Sequence, residues 1–396
     1  MPMLIKSREV ISLPEILKKF YLSIINFILL KRLYASIIGG IRTVIDGLSY
    51  YNGAEAFTGK LKGRGSFVLV MAYTETALIP GITVAGASPE LMAYTPPLDA
   101  ELVHAGRIIT LDNIAMTSEA IPTPGLITRA AITLSDFREF YVDAGNKIPP
   151  FVPHYRVGNG PGADVRTGKA VPWAKQIIEN ARKVGKEIAS QSEYVVIGET
   201  IPAGTTTALG VLLAMGMDIN NYTSSSMPDN PQSLKTSVVQ EGLKKAGING
   251  QCDPLKAIEA VGDPMMAATI GLVQGAQGIP IILAGGTQMA AVAILLSKMS
   301  DLSKFDLALS TTRWIVEDST SSLFGILKGG NVNIPVIVAN LSFARSKLPG
   351  LLAYEKGYVK EGVGAGGLAS ATILKGVPKV KIEDTVESMY SKMVGQ

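Results

Sequence analysis

Residues 194–216 read YVVIGETIPAGTTTALGVLLAMG. The apolar run from Tyr194 to Gly198 ends in a lone acid, Glu199. A turn carrying Pro202 and Gly204 follows, then Thr205, Thr206 and Thr207, then apolar residues at helical spacing. The stretch reads as a buried strand, a tight turn and a buried helix. The same texture recurs outward in both directions. "SFVLVMAY" (66–73), "FREFYVDAG" (137–145), "IPIILAGG" (279–286), "FDLALST" (305–311) and "IPVIVANLS" (334–342) read as strands, and "GITVAGAS" (81–88) as a further strand-like run. Between them, 171–190, 233–247, 253–276 and 286–300 read as helices. Strands apolar on both faces that alternate with helices predict an α/β fold, a doubly wound, mostly parallel, three-layer Rossmann-like sheet. Such sheets bind ligands beyond the carboxyl ends of their strands, which is where Glu199 and the threonines fall.

Residues 1–60 differ. "SLPEILKKFYLSIINFILLKRLYASIIGGIRTVID" (12–46) has apolar residues at helical spacing and predicts a helical N-terminal segment, either a small subdomain or an oligomer contact. The expected organisation is 1–60 helical, 61–380 an α/β catalytic domain and 381–396 a C-terminal helix or tail. A homo-oligomer, first of all a dimer, is expected.

Composition excludes several classes. The 37 basic and 33 acidic residues leave a net charge of +4 and no basic-aromatic stripe, so nucleic acid is not an expected partner. Cys252 is the one cysteine, which rules out an intrachain disulfide and points to a reducing, cytoplasmic setting. With only His104 and His154, no histidine-rich metal site is expected. Mean hydropathy is +0.28, and 264–297 contains no charged residue. Gly278, Pro280 and Gly285-Gly286 cut that run into pieces that fit a helix, a strand and a helix rather than a membrane span.

Three stretches carry chemistry. At Glu199–Thr207 a strand meets a helix start, where free amides and hydroxyls cap the helix or hold a phosphate. In "VKEGVGAGGLASATIL" (359–374), Glu361 precedes a glycine-rich turn and an apolar helix. It reads either as a base with a desolvated carboxylate or as a solvated acid beside Lys360. In "SSSMPDNPQSLKTSVVQEGL" (224–243), serines and Lys235 read as a second anion contact or as an exposed loop and a surface lysine. "GADVRTGKA" fails as a P-loop, since Ala170 stands where Ser or Thr is required. "GVGAGG" lacks dinucleotide-fingerprint spacing.

Taken in order, these stretches resemble the nicotinate-nucleotide:dimethylbenzimidazole phosphoribosyltransferases, and within them the archaeal branch. "GETIPAGTTTALGVL" is similar to that branch's Glu, Pro, Gly, Thr-Thr-Thr-Ala wording, and "EGVGAGG" to the family's Glu-Gly-x-Gly-Ala. "VGDPMMAATIGLVQGA" and "IPIILAGGTQMAAVAILL" resemble its small-residue helix and its strand-turn-helix, with Ala284-Gly285 in place of Asp-Gly. The resemblance covers about 65–376. It implies Glu361 as the catalytic base and Glu199 in the loop at the nicotinate nucleotide, where Glu199 reads as a polar or electrostatic partner of the base. It implies Gly204, Thr205, Thr206 and Thr207 with Lys235 at the nucleotide and its phosphate. Ser342 matches a phosphate-contacting serine, and Gly362 and Gly364 lie at the substrate. "AYTETALIPG" (72–81) occupies the region of the aromatic-base pocket.

The implied reaction moves ribose 5-phosphate from nicotinate mononucleotide to an aromatic base such as 5,6-dimethylbenzimidazole, in cobamide nucleotide-loop assembly, with no cofactor and no metal. A purine acceptor, or a non-catalytic nucleotide-binding or regulatory protein, are the alternative expectations.

Overall fold

The computed structural model describes residues 45–86, 88–111, 116–219 and 221–395. The helical expectation for the segment before residue 45 lies outside the described residues. Among those described, eight strands form one sheet: β1 (Leu48–Tyr51), β2 (Gly65–Ala72), β3 (Arg138–Gly145), β4 (Tyr155–Arg156), β5 (Tyr194–Thr200), β6 (Ile281–Ala284), β7 (Leu307–Thr312) and β8 (Val336–Ala339). Their spatial order is β1-β8-β7-β6-β5-β2-β3-β4. All neighbours run parallel except β1, which is antiparallel to β8. The doubly wound, mostly parallel fold class read from the sequence is borne out.

The period-2 alternation of side chains makes both faces apolar. On one face Val68, Val70, Val195, Ile197, Leu283 and Leu309 meet helices Ala174–Ala189, Gly204–Ala214, Pro264–Gly275 and Thr287–Met299. On the other, Phe67, Leu69, Met71, Val196, Ile282 and Ile337 meet helices Thr95–Ala105, Gly125–Leu134, Ala365–Leu374 and Lys379–Met393. The uncharged run 264–297 resolves into helix Pro264–Gly275, β6 and helix Thr287–Met299, all packed inside. Among the described residues no helix is long and apolar enough to cross a membrane.

The winding reverses between β5 and β2. From β2 the chain steps to β3 and β4 on one side, then crosses to β5 and continues through β6, β7 and β8 on the other. Loops leaving β2 and β5 therefore diverge and open a crevice at their carboxyl ends.

Four differences from the sequence reading have plain causes. Residues 48–51 and 54–58 are a strand and a short helix of the same unit, because "LSYY" alternates inward and outward along the edge of β8. The segment 253–276 is two helices, since Asp253 and Asp263 each cap a new start followed by proline. Residues 81–86 form a loop rather than a strand. Helix Lys379–Met393 is no loose tail, as Ile382, Val386 and Tyr390 are buried in the main core.

Glycine explains how helix Ala365–Leu374 lies flat on the sheet. A methyl group on Gly198 of β5 would fall 2.6 Å from the Gly364 Cα, and one on Gly367 would fall 2.2 Å from the Ala284 Cβ. Gly198→Ala is expected to lower unfolding free energy by about 1–3 kcal/mol, the range for forcing atoms into a packed interior. Urea titration checks this; an unchanged midpoint would show that the two backbones do not depend on contact.

Candidate active site

Glu199 is the penultimate residue of β5, and its side chain emerges at the crevice between diverging loops. The cavity there has a volume of about 160 Å³. Its lining includes Ile82, Thr83, Ala85 and Gly86 after β2, residues 199–205 at and after the end of β5, residues 286–288 after β6, and residues 361–363 before helix Ala365–Leu374. Glu199 and Glu361, distant in sequence, line the same space.

One hydrogen bond fixes that approach. The Val363 N–H donates to the Glu199 carbonyl at 2.7 Å, and the Val363 carbonyl accepts from the Thr128 hydroxyl at 2.8 Å. The backbone is strained to allow it. Val363 has φ 55°, Val359 φ 39° and Ala203 φ 63°, and all three border the cavity. A β-branched residue at positive φ persists only where its surroundings over-determine it.

Glu361 is held by main chain. Thr312 N–H (2.8 Å) and the Thr311 hydroxyl (3.3 Å) donate to one carboxylate oxygen, and Gly366 N–H (3.0 Å) and Gly362 N–H (3.2 Å) to the other. Burial pushes its pKa up to about 7 against these four donors, which favour the anion. Glu199 is pushed further, to about 8, by burial first and then by Asp263, Glu361 and Asp99. The Gln288 amide donates to it at 3.4 Å. Glu361 thus loses its proton first, and its charge helps Glu199 keep its own.

Two more buried acids complete the group, and the sequence reading named neither. Asp99, on helix Thr95–Ala105, lines the cavity and accepts from the Thr123 and Thr200 hydroxyls, both at 2.7 Å. Asp263 caps helix Pro264–Gly275 and accepts from the Thr207 hydroxyl. Burial raises each to about 6. Among the described residues no three His, Cys, Asp or Glu side chains converge as a metal site.

Comparison with known proteins fits this architecture. Residues 135–308 match the family model described as phosphoribosyltransferase. The UPF0284 protein of Archaeoglobus fulgidus is 41% identical over 335 residues, covering 84% of this chain and 95% of that one. The UPF0284 protein of Methanothermobacter thermautotrophicus is 42% identical over 359 residues, covering 89% and 99%. The chain belongs to the UPF0284 family. The family-model match spans 135–308, less than half of the chain, and is in keeping with the sequence resemblance to the phosphoribosyltransferases. The solved nicotinate-nucleotide-dimethylbenzimidazole phosphoribosyltransferase from Thermus thermophilus has the same fold, with a TM-score of 0.54 at 17% identity over 84% of this chain and 86% of that one.

The sequence-derived site residues separate into two groups in this UPF0284 protein. Glu199, Gly204, Thr205, Glu361 and Gly362 line the cavity. Thr206 and Thr207 are buried behind it, Thr207 turned to Asp263. Gly364 starts helix Ala365–Leu374 and packs against β5. Lys235 is no surface residue. It is fully buried, and its ammonium donates to the Thr223 hydroxyl (2.7 Å) and carbonyl (3.2 Å) and to the Ser224 carbonyl (2.8 Å). It therefore supports the loop Ser224–Ser226, whose serines do line the cavity. Ser342 lies elsewhere, bonded to Glu383 and Glu355. The wall assigned to 72–81 is instead supplied by Ile82, Thr83, Ala85 and Gly86 and by residues of 91–124.

The four acids make stability pH-dependent. Their folded pKa values lie above the ordinary carboxylate range, so the folded protein binds protons more tightly than the unfolded chain. Their contribution is complete below about pH 4 and is lost as pH rises through about 6 to 8. Tm is expected to fall between pH 5 and 9, and Glu199→Gln to flatten the upper part of that fall by on the order of a few kcal/mol. Calorimetric scans across the range check it; a variant that tracks the parent at every pH contradicts the assignment.

Proposed function

We propose that this UPF0284 protein transfers the 5-phosphoribosyl group of nicotinate mononucleotide to a ring nitrogen of an aromatic base such as 5,6-dimethylbenzimidazole. The product is an α-ribazole phosphate, and the reaction belongs to cobamide nucleotide-loop assembly. The observation that carries the reading is the pairing of Glu361 and Glu199 in one cavity at the strand-order reversal.

The chemistry follows from the residues. The C1′–N bond to nicotinate breaks, and its electron pair returns to the pyridine nitrogen, which needs no added proton. A lone pair on the acceptor nitrogen forms the new C1′–N bond. The acceptor's other ring N–H then gives its proton to Glu361. A base with a pKa near the working pH is the most effective, which the value of about 7 supports. Glu199 acts as a neutral acid, donating a hydrogen bond to the nucleotide rather than supplying charge. The phosphate fits the wall made by Ser224–Ser226 and the N-terminal turns of helices Gly204–Ala214 and Thr287–Met299. Lys235 positions that wall from behind, and a homodimer remains the proposed assembly.

Glu361→Gln should lower kcat by about 10²–10⁴-fold with little change in nucleotide affinity. In the parent, kcat/KM should rise with pH through about 7 as Glu361 ionises. Mass detection of products from nicotinate mononucleotide and benzimidazoles measures both. Undiminished turnover in the variant rejects Glu361 as the base, and a protein that binds nucleotide without transfer is a regulatory one.

Lys235→Met should act through the serine loop, raising KM for nicotinate mononucleotide about tenfold, in keeping with loss of hydrogen bonds to a charged group, while kcat moves little. Initial-rate kinetics decide; a fall in kcat at constant KM contradicts a positioning role.

A further inference from the structure

Asp99 is a cavity group that the transfer chemistry leaves unused. It is only 2% exposed, yet it borders the cavity beside Thr200, next in the chain to Glu199. One carboxylate oxygen accepts from the Thr123 hydroxyl and the other from the Thr200 hydroxyl. Each hydroxyl has one proton, and both are committed, so the pair fixes the carboxylate in place without exhausting it. Each oxygen keeps a second lone pair. Among the described residues no cation pairs with it.

The surroundings make this costly. Leu98, Leu111, Met116 and Ile121 border the same cavity and are apolar. Burying a carboxylate among such side chains is unfavourable unless its acceptor capacity is met. Two hydroxyls meet half of it. Asp99 thus borders, with acceptor capacity to spare, a space lined in part by these apolar side chains, which suits an aromatic ring carrying a donor at its edge.

We propose that Asp99 selects the acceptor base by accepting a hydrogen bond from a second donor on it, an amino or hydroxyl group at the ring edge away from the attacking nitrogen. The favoured substrates are then aromatic N-heterocycles with such a donor, ahead of methyl-substituted ones of equal size. This rests on the transferase reading for its turnover consequence and on the cavity alone for its binding consequence. Asp99 acts as a hydrogen-bond acceptor only, so no atom or electron is added to the balance of the transfer.

The test compares 5-aminobenzimidazole with 5-methylbenzimidazole, two bases of similar size. The full chain is used, with nicotinate mononucleotide for kcat/KM and without it for calorimetric binding. The parent is expected to prefer the amino base by about 10- to 100-fold, the range for a hydrogen bond to a charged acceptor. Asp99→Asn should shrink that ratio and Asp99→Leu should invert it. Equal handling of the two bases by the parent overturns the proposal, and does so even where neither variant folds. An equal loss for both bases in Asp99→Asn also overturns it, since a merely structural tie between Thr123 and Thr200 would not discriminate between them. Preferential binding of the amino base without turnover supports the selection and rejects the transferase reading. Binding of neither base overturns the selection.

Discussion

The contact between the Val363 N–H and the Glu199 carbonyl is the constraint on which the rest depends. It brings together the end of β5 and the turn before helix Ala365–Leu374, two segments far apart in the chain. Each makes room for the other by lacking side chains at Gly198 and Gly364. Without that closeness, Glu361 would lose the Thr312 amide and the Thr311 hydroxyl, because the helix would ride higher on the sheet. The left-handed backbone at Val363 is what the approach demands locally, and the Thr128 hydroxyl holds its other side. Packing on one face of the sheet thereby sets the geometry of a cavity at its edge.

Electrostatics explains why the acids are tolerated there. Four carboxylates in a shared apolar surround cannot all ionise without mutual cost. Each is given a different degree of relief. Glu361 has four donors, while Glu199 has one long contact from Gln288. Asp99 and Asp263 lean on threonine hydroxyls, and Asp263 also on the amides of its helix. The uneven supply of donors separates their proton affinities, so neighbouring groups of the same type hold different charges at neutral pH. In the proposed transfer that separation lets one acid accept a proton while the adjacent one still donates.

Much of this was legible in the chain. The two-faced apolar strands and the helices between them predict the parallel sheet, and Glu199 and Glu361 stand out as lone acids at junctions of otherwise buried segments. The glycines of 362–367 were visible as a turn, but their packing use against Ala284 and Thr311 was not, since that depends on which strands end up beneath them. The break at Gly262-Asp263 was available in principle, because Asp-Pro occurs at both 253 and 263 and marks a capped start each time. Asp99 was hidden in a turn-rich stretch, "YTPPLDAEL", where an acid ordinarily reads as solvated. Only the tertiary pairing with Thr123 and Thr200 reveals it. Ser342 failed for the opposite reason: its local wording fits, but the fold directs it to Glu355 and Glu383.

Charge across the cavity gives the site a direction. Behind the serine loop, Lys235 and Lys360 are buried, and Asp318 pairs with Lys360 at 3.1 Å. Ser224 links the same carboxylate to the loop. Burial and the nearby Lys360 lower Lys235 to about 7 against the pull of Asp318, so it carries its charge most readily when an anion lies near. Glu199, Glu361 and Asp99 border the same cavity, with Glu361 and Asp99 the more readily ionised of the three. A ribosyl phosphate is itself polar in the same sense, anionic at its 5-position and electron-poor at C1′ as the glycosidic bond loosens. Set in the proposed orientation, phosphate to the serines and C1′ to the acids, the ligand's charges oppose those of the protein at both ends. Reversal would put phosphate against carboxylates in a medium that screens poorly, at a cost of several kcal/mol. The protein thus excludes the unproductive pose by repulsion as much as it favours the productive one by contact.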